Sequence, residues 1–173
     1  TDIDYREVFI MGKIITYTGP GHSGRTTVAL NSAYLLAKEG YKTLVVDADQ
    51  TKGNLAAHIG IEKKDVGLAE AATSLDEAIL HRCFIKEKKT GITYLTLPAD
   101  AKCNDLISLT QLQAEELYRR VRDEFDYTLV DCGNCIYEAL SGVALLIGQM
   151  TFIALSPERK DSIWLKANRR IFD

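Results

Sequence analysis

Gly19-Pro20-Gly21-His22-Ser23-Gly24-Arg25-Thr26-Thr27 is the stretch on which the fold turns. Before it runs Lys13-Ile14-Ile15-Thr16-Tyr17-Thr18, a short β-branched and aromatic segment with the composition of a strand. After it, from Thr26 to Glu39, the apolar residues Val28, Ala29, Ala33, Leu35, Leu36 and Ala37 make a wide helical stripe, closed by Gly40 where a left-handed C-cap belongs. A strand, a glycine-rich loop and a helix therefore follow one another directly. Such a loop turns backbone N–H groups toward an anion, and the positive end of the next helix reinforces the attraction. The spacing is that of a phosphate-cradling loop, with Arg25 where the usual motif has lysine and Thr26 placed to offer a hydroxyl to Mg2+. The competing reading is an ordinary Gly/Pro turn at a helix N-terminus, and the strand-loop-helix context favours the anion site.

Working outward, Thr43-Leu44-Val45-Val46-Asp47 is a continuous apolar run ending in an acid, as expected of a strand covered on both faces. With the first strand and the helix it makes a βαβ unit, hence parallel pairing and a right-handed crossover. Residues 92–97, 127–130 and 151–155 repeat the strand pattern, which gives five strands. Ala114, Leu117, Tyr118, Val121 and Phe125 lie at helical spacing, with Glu115, Arg119, Arg120 and Arg122 mostly opposite. Further helices are expected at 76–81 and 137–147, and a terminal one carrying Ile163, Trp164, Ala167 and Ile171; Lys86-Glu87-Lys88-Lys89 reads as a solvated turn. The expected fold is α/β: a doubly wound, mainly parallel sheet with helices on both faces.

The 173 residues fit one domain, and 46% apolar content supplies a core. A chain that starts at Thr1 rather than Met is read as part of a longer protein. The net charge of -3, with both signs interspersed, gives no strong nucleic-acid signal. No apolar run approaches the roughly 20 residues of a transmembrane segment. Four cysteines, Cys83, Cys103, Cys132 and Cys135, are too few for a disulfide scaffold, so a cytoplasmic location is expected. Cys132-Gly133-Asn134-Cys135 has the spacing of a redox motif, but without a completing ligand set it reads as a small-residue turn.

The loop resembles that of the MinD/ParA deviant Walker-A ATPases, which reads Lys-Gly-Gly-x-Gly-Lys-Thr-Thr; Gly21, Gly24, Thr26 and Thr27 match. The similarity runs on through Val45-Val46-Asp47-Ala48-Asp49, Gly53-Asn54-Leu55, Val66-Gly67-Leu68, Asp76-Glu77-Ala78-Ile79, Asp126-Tyr127-Thr128-Leu129-Val130-Asp131 and Ser156-Pro157-Glu158. It implies ATP or ADP with Mg2+ as cofactors, held by Gly19, Gly21, Ser23, Gly24, Arg25, Thr26 and Thr27; His22, which replaces a family glycine, is a further candidate that either contacts phosphate or faces solvent. It implies Thr26 and Asp131 at the metal and Asp49 as the aspartate that orients attacking water. It also implies a homodimer and a protein partner of unknown kind. Two departures stand out. Pro20 replaces the family's signature lysine and Arg25 its P-loop lysine, and arginine's planar fork is no equivalent at a tight phosphate site. Hydrolysis is therefore expected to be weak or absent. Proteins resembling TadZ and CpaE, which position pilus assemblies, share atypical loops and suit a chain that is part of a longer protein. An active partition or division-placement ATPase and a nucleotide-free scaffold remain open as alternatives. Lys52, Arg159 and Lys160 also follow strands near the expected anion mouth.

Overall fold

The computed structural model describes residues 12–50, 54–60, 67–97, 109–133 and 135–172. Its sheet has six strands in the order β3-β4-β2-β5-β1-β6. They are β1 (Lys13–Thr18), β2 (Thr43–Ala48), β3 (Ile85–Lys86), β4 (Thr93–Leu95), β5 (Tyr127–Cys132) and β6 (Met150–Ile153). Every pairing is parallel except the short β3–β4 hairpin at one edge. That hairpin corrects the expectation of a plain turn at Lys86, because Ile85 and Lys86 pair with Tyr94 and Thr93 before the chain turns.

Strand alternation divides the apolar residues between two layers. Leu44, Val46 and Ala48 of β2, with Val130 and Cys132 of β5, face α5 (Gln111–Glu124), α6 (Ala139–Ile147), α3 (Leu68–Thr73) and α4 (Glu77–Cys83). Val45 and Leu129, with Tyr17, face α1 (Arg25–Lys38) and Leu55 of α2 (Asn54–His58). Helices thus cover both faces of a mainly parallel sheet.

Within α1 the buried stripe is narrower than its apolar content suggests. Ala29 and Ala33 are fully buried, whereas Val28 and Leu35 stand 46% and 61% exposed. Small side chains at the contact let the helix close onto β1, β2 and β5, which turns the larger ones outward. Its C-terminus is a Schellman motif, with Gly40 at φ 90° donating to Ala37 O at 3.0 Å and Tyr41 donating to Leu36 O at 3.2 Å. In α5 the expected core residues are all buried, but Arg120 joins them instead of facing solvent. Its guanidinium reaches Glu77 Oε1 at 2.8 Å and Ser74 O at 2.7 Å, which fastens α5 to the α3–α4 connection. The terminal helix α7 (Arg159–Asn168) continues into a 3-10 turn at Arg169–Ile171 and has a single buried residue, Asp161.

Candidate functional site

The carboxyl ends of β1, β2 and β5 open on one side of the sheet, and the loops that leave them meet there. The 19–27 loop links β1 to α1. Gly19 has φ 148°, and a Cβ on it would lie 2.2 Å from Ala154 O, so backbone approach as well as conformation requires glycine. Gly24, at φ 88°, is the N-cap of α1 and needs glycine for its left-handed backbone alone. His22 also takes a left-handed conformation, φ 65°, and its side chain is exposed. Gly21 is half-buried and Thr27 exposed. Ser23 donates its amide to Pro20 O at 3.3 Å, while its Oγ is buried without a hydrogen-bond partner. Buried hydroxyls normally hydrogen-bond, so this one has capacity that a ligand or water in the loop would use.

The next two residues point inward onto one carboxylate. Arg25, 8% exposed, places Nε 3.2 Å from Asp131 Oδ1 and donates from Nη1 to Gly19 O at 2.7 Å. Thr26 donates its hydroxyl to Asp131 Oδ2 at 2.6 Å. Burial raises the Asp131 carboxyl above the ordinary aspartate range, although Thr26 and Arg25 pull the other way. The hard oxygen donors of Thr26 and Asp131 suit Mg2+, which prefers hydroxyl, carboxylate and phosphate oxygens. On that chemistry the residues fit the ion.

Asp47 and Asp49 differ in surroundings because β2 ends between them, at Ala48. Asp47 is buried, and its carboxylate is taken up by neighbouring groups. Its Oδ2 accepts from Leu55 N at 2.9 Å and Thr96 Oγ1 at 3.0 Å, and its Oδ1 from Asp49 N at 3.2 Å. Burial lifts its pKa to about 7, and its strand neighbour Asp131 adds to the rise. Asp49, 4% exposed, lies beyond the strand end beside Gly133, whose Cβ position is 3.1 Å from Asp49 Cα. Sequence reading missed Gln50 and Glu138, which flank this point: Gln50 N donates to Glu138 Oε2 at 3.3 Å. A glutamine after the strand-end aspartate and a glutamate at the start of a helix were the available signals.

Other expectations fall away from the site. Cys132 is buried and its thiol is pushed up to about 12 by burial, so it does not supply the activated thiolate of a redox motif, and Cys135 is exposed. Cys83 is buried in the core. Arg159 and Lys160 are exposed at the start of α7, where Lys160 pairs with Glu158 at 3.0 Å. Lys52 and Cys103 lie outside the described residues. Among the described residues no helix is long and apolar enough to cross a membrane.

A glycine-pinned loop between the first strand of a parallel sheet and a helix, with the aspartate of a neighbouring strand drawn to the helix start, defines the P-loop NTPase class of fold. A family model described as an AAA domain matches residues 11–161. The septum site-determining protein MinD of Synechocystis sp. is 32% identical over 149 residues, covering 86% of this chain and 54% of that protein. The chain thus spans about half the length of that relative. Among solved structures, MinD from Pyrococcus horikoshii complexed with Mg-ADP superposes with a TM-score of 0.74 at 23% identity, over 94% of this chain and 65% of that one. Cobyrinic acid a,c-diamide synthase from Mycobacterium smegmatis, with a bound ATP analog and magnesium, gives 0.72 at 19% identity, over 92% and 68%. The chain belongs to the MinD/ParA family of P-loop ATPases within the AAA-domain group.

Proposed function

We propose that this chain binds ATP or ADP with Mg2+ in the 19–27 loop and acts as a switch with weak or absent hydrolysis. The observation that carries the reading is the convergence of Thr26 Oγ1 on Asp131 Oδ2, 2.6 Å apart at the start of α1. Bound nucleotide would take the backbone cradle of Gly19, Gly21, His22, Ser23, Gly24, Arg25, Thr26 and Thr27. Thr26 and Asp131 would hold the metal, and Asp49 would face the attacking water. The solved relatives with Mg-ADP and with an ATP analog support the choice of ligand.

Weak turnover is argued from two side chains. Pro20 carries no charge with which to meet a phosphate, and Arg25 offers a broad, flat cation that is already engaged by Asp131 and Gly19 O. Isothermal titration with Mg-ATP and Mg-ADP tests binding, and the absence of both heat and thermal shift would remove the nucleotide reading. Phosphate release then tests turnover. Pro20→Lys with Arg25→Lys should raise the rate, and a rate equal to that of an active partition or division ATPase in the unaltered chain would overturn the weak-hydrolysis part.

In the cytoplasm, nucleotide-stabilised homodimers would present a surface to a protein partner in positioning a pilus or secretion assembly. Sedimentation checks this, since a mass independent of ATP counts against the switch. One observation favours the rival reading of a nucleotide-free scaffold: the Arg25 guanidinium spans the loop from Asp131 to Gly19. The same titration decides between them.

A further inference from the structure

The loops after β2 and β5 are tied to each other at more than one point. Gln50 gives its amide to Glu138 Oε2 at 3.3 Å, and its side-chain Oε1 accepts the amide of Leu140 at 2.9 Å. Main chain and side chain of one residue thus both engage the start of α6. The second contact also answers a need of the helix. Its N-cap, Glu138, makes no side-chain cap hydrogen bond, so a first-turn amide that the helix cannot satisfy internally is satisfied by Gln50 from the other loop. One residue further along α6, Ser141 Oγ donates to Ala48 O at 3.3 Å and accepts from Gly133 N at 3.1 Å. Asp49 therefore sits between two residues, Ala48 and Gln50, that are each fastened to α6. Gly133 leaves space for this approach: a Cβ there would meet Asp49 Cα at 3.1 Å and Glu138 Oε2 at 3.3 Å.

We propose that Gln50 and Glu138 form a clasp that positions Asp49 and makes the loop after β2 and the loop after β5 respond together to whatever occupies the 19–27 loop. The positioning half rests on the nucleotide reading above; the clasp itself does not. Glu138 and Gln50 are positioning residues and act through Asp49 and the start of α6. The second loop hangs from the strand that carries Asp131, so the clasp adds a link at Gln50, just beyond Asp49, to the β2–β5 pairing and the Ser141 contacts through which a change at Asp131 reaches Asp49.

Hydrogen exchange on the whole chain, read residue by residue, tests both halves. Without nucleotide, Gln50→Ala should speed exchange of the Leu140 amide by about fivefold or more, the equivalent of one ordinary hydrogen bond. Glu138→Ala should do the same at the Gln50 amide. Glu138→Gln, which keeps an acceptor oxygen, should restore the slow rate. Unchanged exchange at Leu140 in Gln50→Ala, or no rescue by Glu138→Gln, would overturn the clasp. With Mg-ADP added, the unaltered chain should slow at residues 48–50 and 138–141 in parallel with the 19–27 loop. In Gln50→Ala the 138–141 segment should still slow while 48–50 slows clearly less. Parallel slowing that persists in Gln50→Ala would overturn the positioning role. If Mg-ADP slows the 19–27 loop in no variant, the nucleotide reading fails and takes the positioning role with it, while the nucleotide-free measurements still judge the clasp.

Discussion

At the loop mouth the charged residues are the buried ones: Arg25, Asp47, Asp49 and Asp131 are all under a tenth exposed. At the opposite extreme, the β6–α7 edge leaves apolar residues in solvent, with Met150 53% and Ile163 58% exposed. Buried charge is stable only when paired and hydrogen-bonded, and exposed apolar area adds little to folding. The mouth is therefore where single changes should be costly. Asp131→Ala offers the largest contrast. It leaves the Arg25 guanidinium buried with its carboxylate gone, and removing one member of such a pair costs about 3–5 kcal/mol. Urea denaturation should show that loss, and Asp131→Asn, which retains an oxygen for Thr26, should lose less. A loss below about 1 kcal/mol for Asp131→Ala would mean that the mouth is no more tightly built than an exposed ion pair.

A second test uses pH. The folded-state pKa of Asp47 is raised from 3.8 to about 7, chiefly by burial. Because the folded state holds this proton more tightly than the unfolded chain, stability should fall as pH rises from about 4 toward 7 and level off above that. Asp131 and Glu138, also raised chiefly by burial, act in the same direction. Asp47→Asn cannot titrate, so thermal melts from pH 4 to 8 should show a shallower decline than in the unaltered chain. Equal slopes would place the titration elsewhere. Gly19→Ala comes next. Its Cβ would fall 2.2 Å from Ala154 O in a left-handed backbone, so the loop must shift at a cost of about 2 kcal/mol. Calorimetry should show both a lower Tm and weaker Mg-ADP binding.

Much of this arrangement was legible in the sequence, for a physical reason. The 13–18 run, the glycines and the helix that follows are neighbours along the chain, so spacing alone places a loop at a helix start. Asp131 was singled out by its match to the family, and the rule that parallel strands bring their carboxyl ends to one side supported it. What stayed hidden depends on contacts between distant segments. Arg120 looks like one more charge on the polar face of a helix, and only the approach of Ser74 and Glu77 makes it a buried link. Gln50 and Glu138 lie 88 positions apart and carry no motif, so their contact exists only once β2 and β5 are paired. The narrow stripe of α1 was missed because periodicity counts apolar residues without knowing how closely a helix packs. The short helices α2 and α3 have too few turns for a periodic signal.

The smallest expected effect is at the edge, and it completes the comparison. Met150 begins β6, the strand at the end of the sheet, and is held through its backbone to β1, opposite Ile15 and with its carbonyl accepting from Thr16 Oγ1 at 3.3 Å. Its side chain is more than half exposed, so replacing it removes little buried area. Met150→Lys should then change stability by no more than about 0.5 kcal/mol, the range usual for surface positions. Lysine on an exposed edge also disfavours pairing with another chain, so solubility should hold or improve. Denaturation of the two proteins side by side gives the answer. A loss near that of Gly19→Ala would mean that β6 packs its side chains as firmly as the mouth does, and the contrast between buried charge and exposed apolar surface would no longer predict where this chain is sensitive.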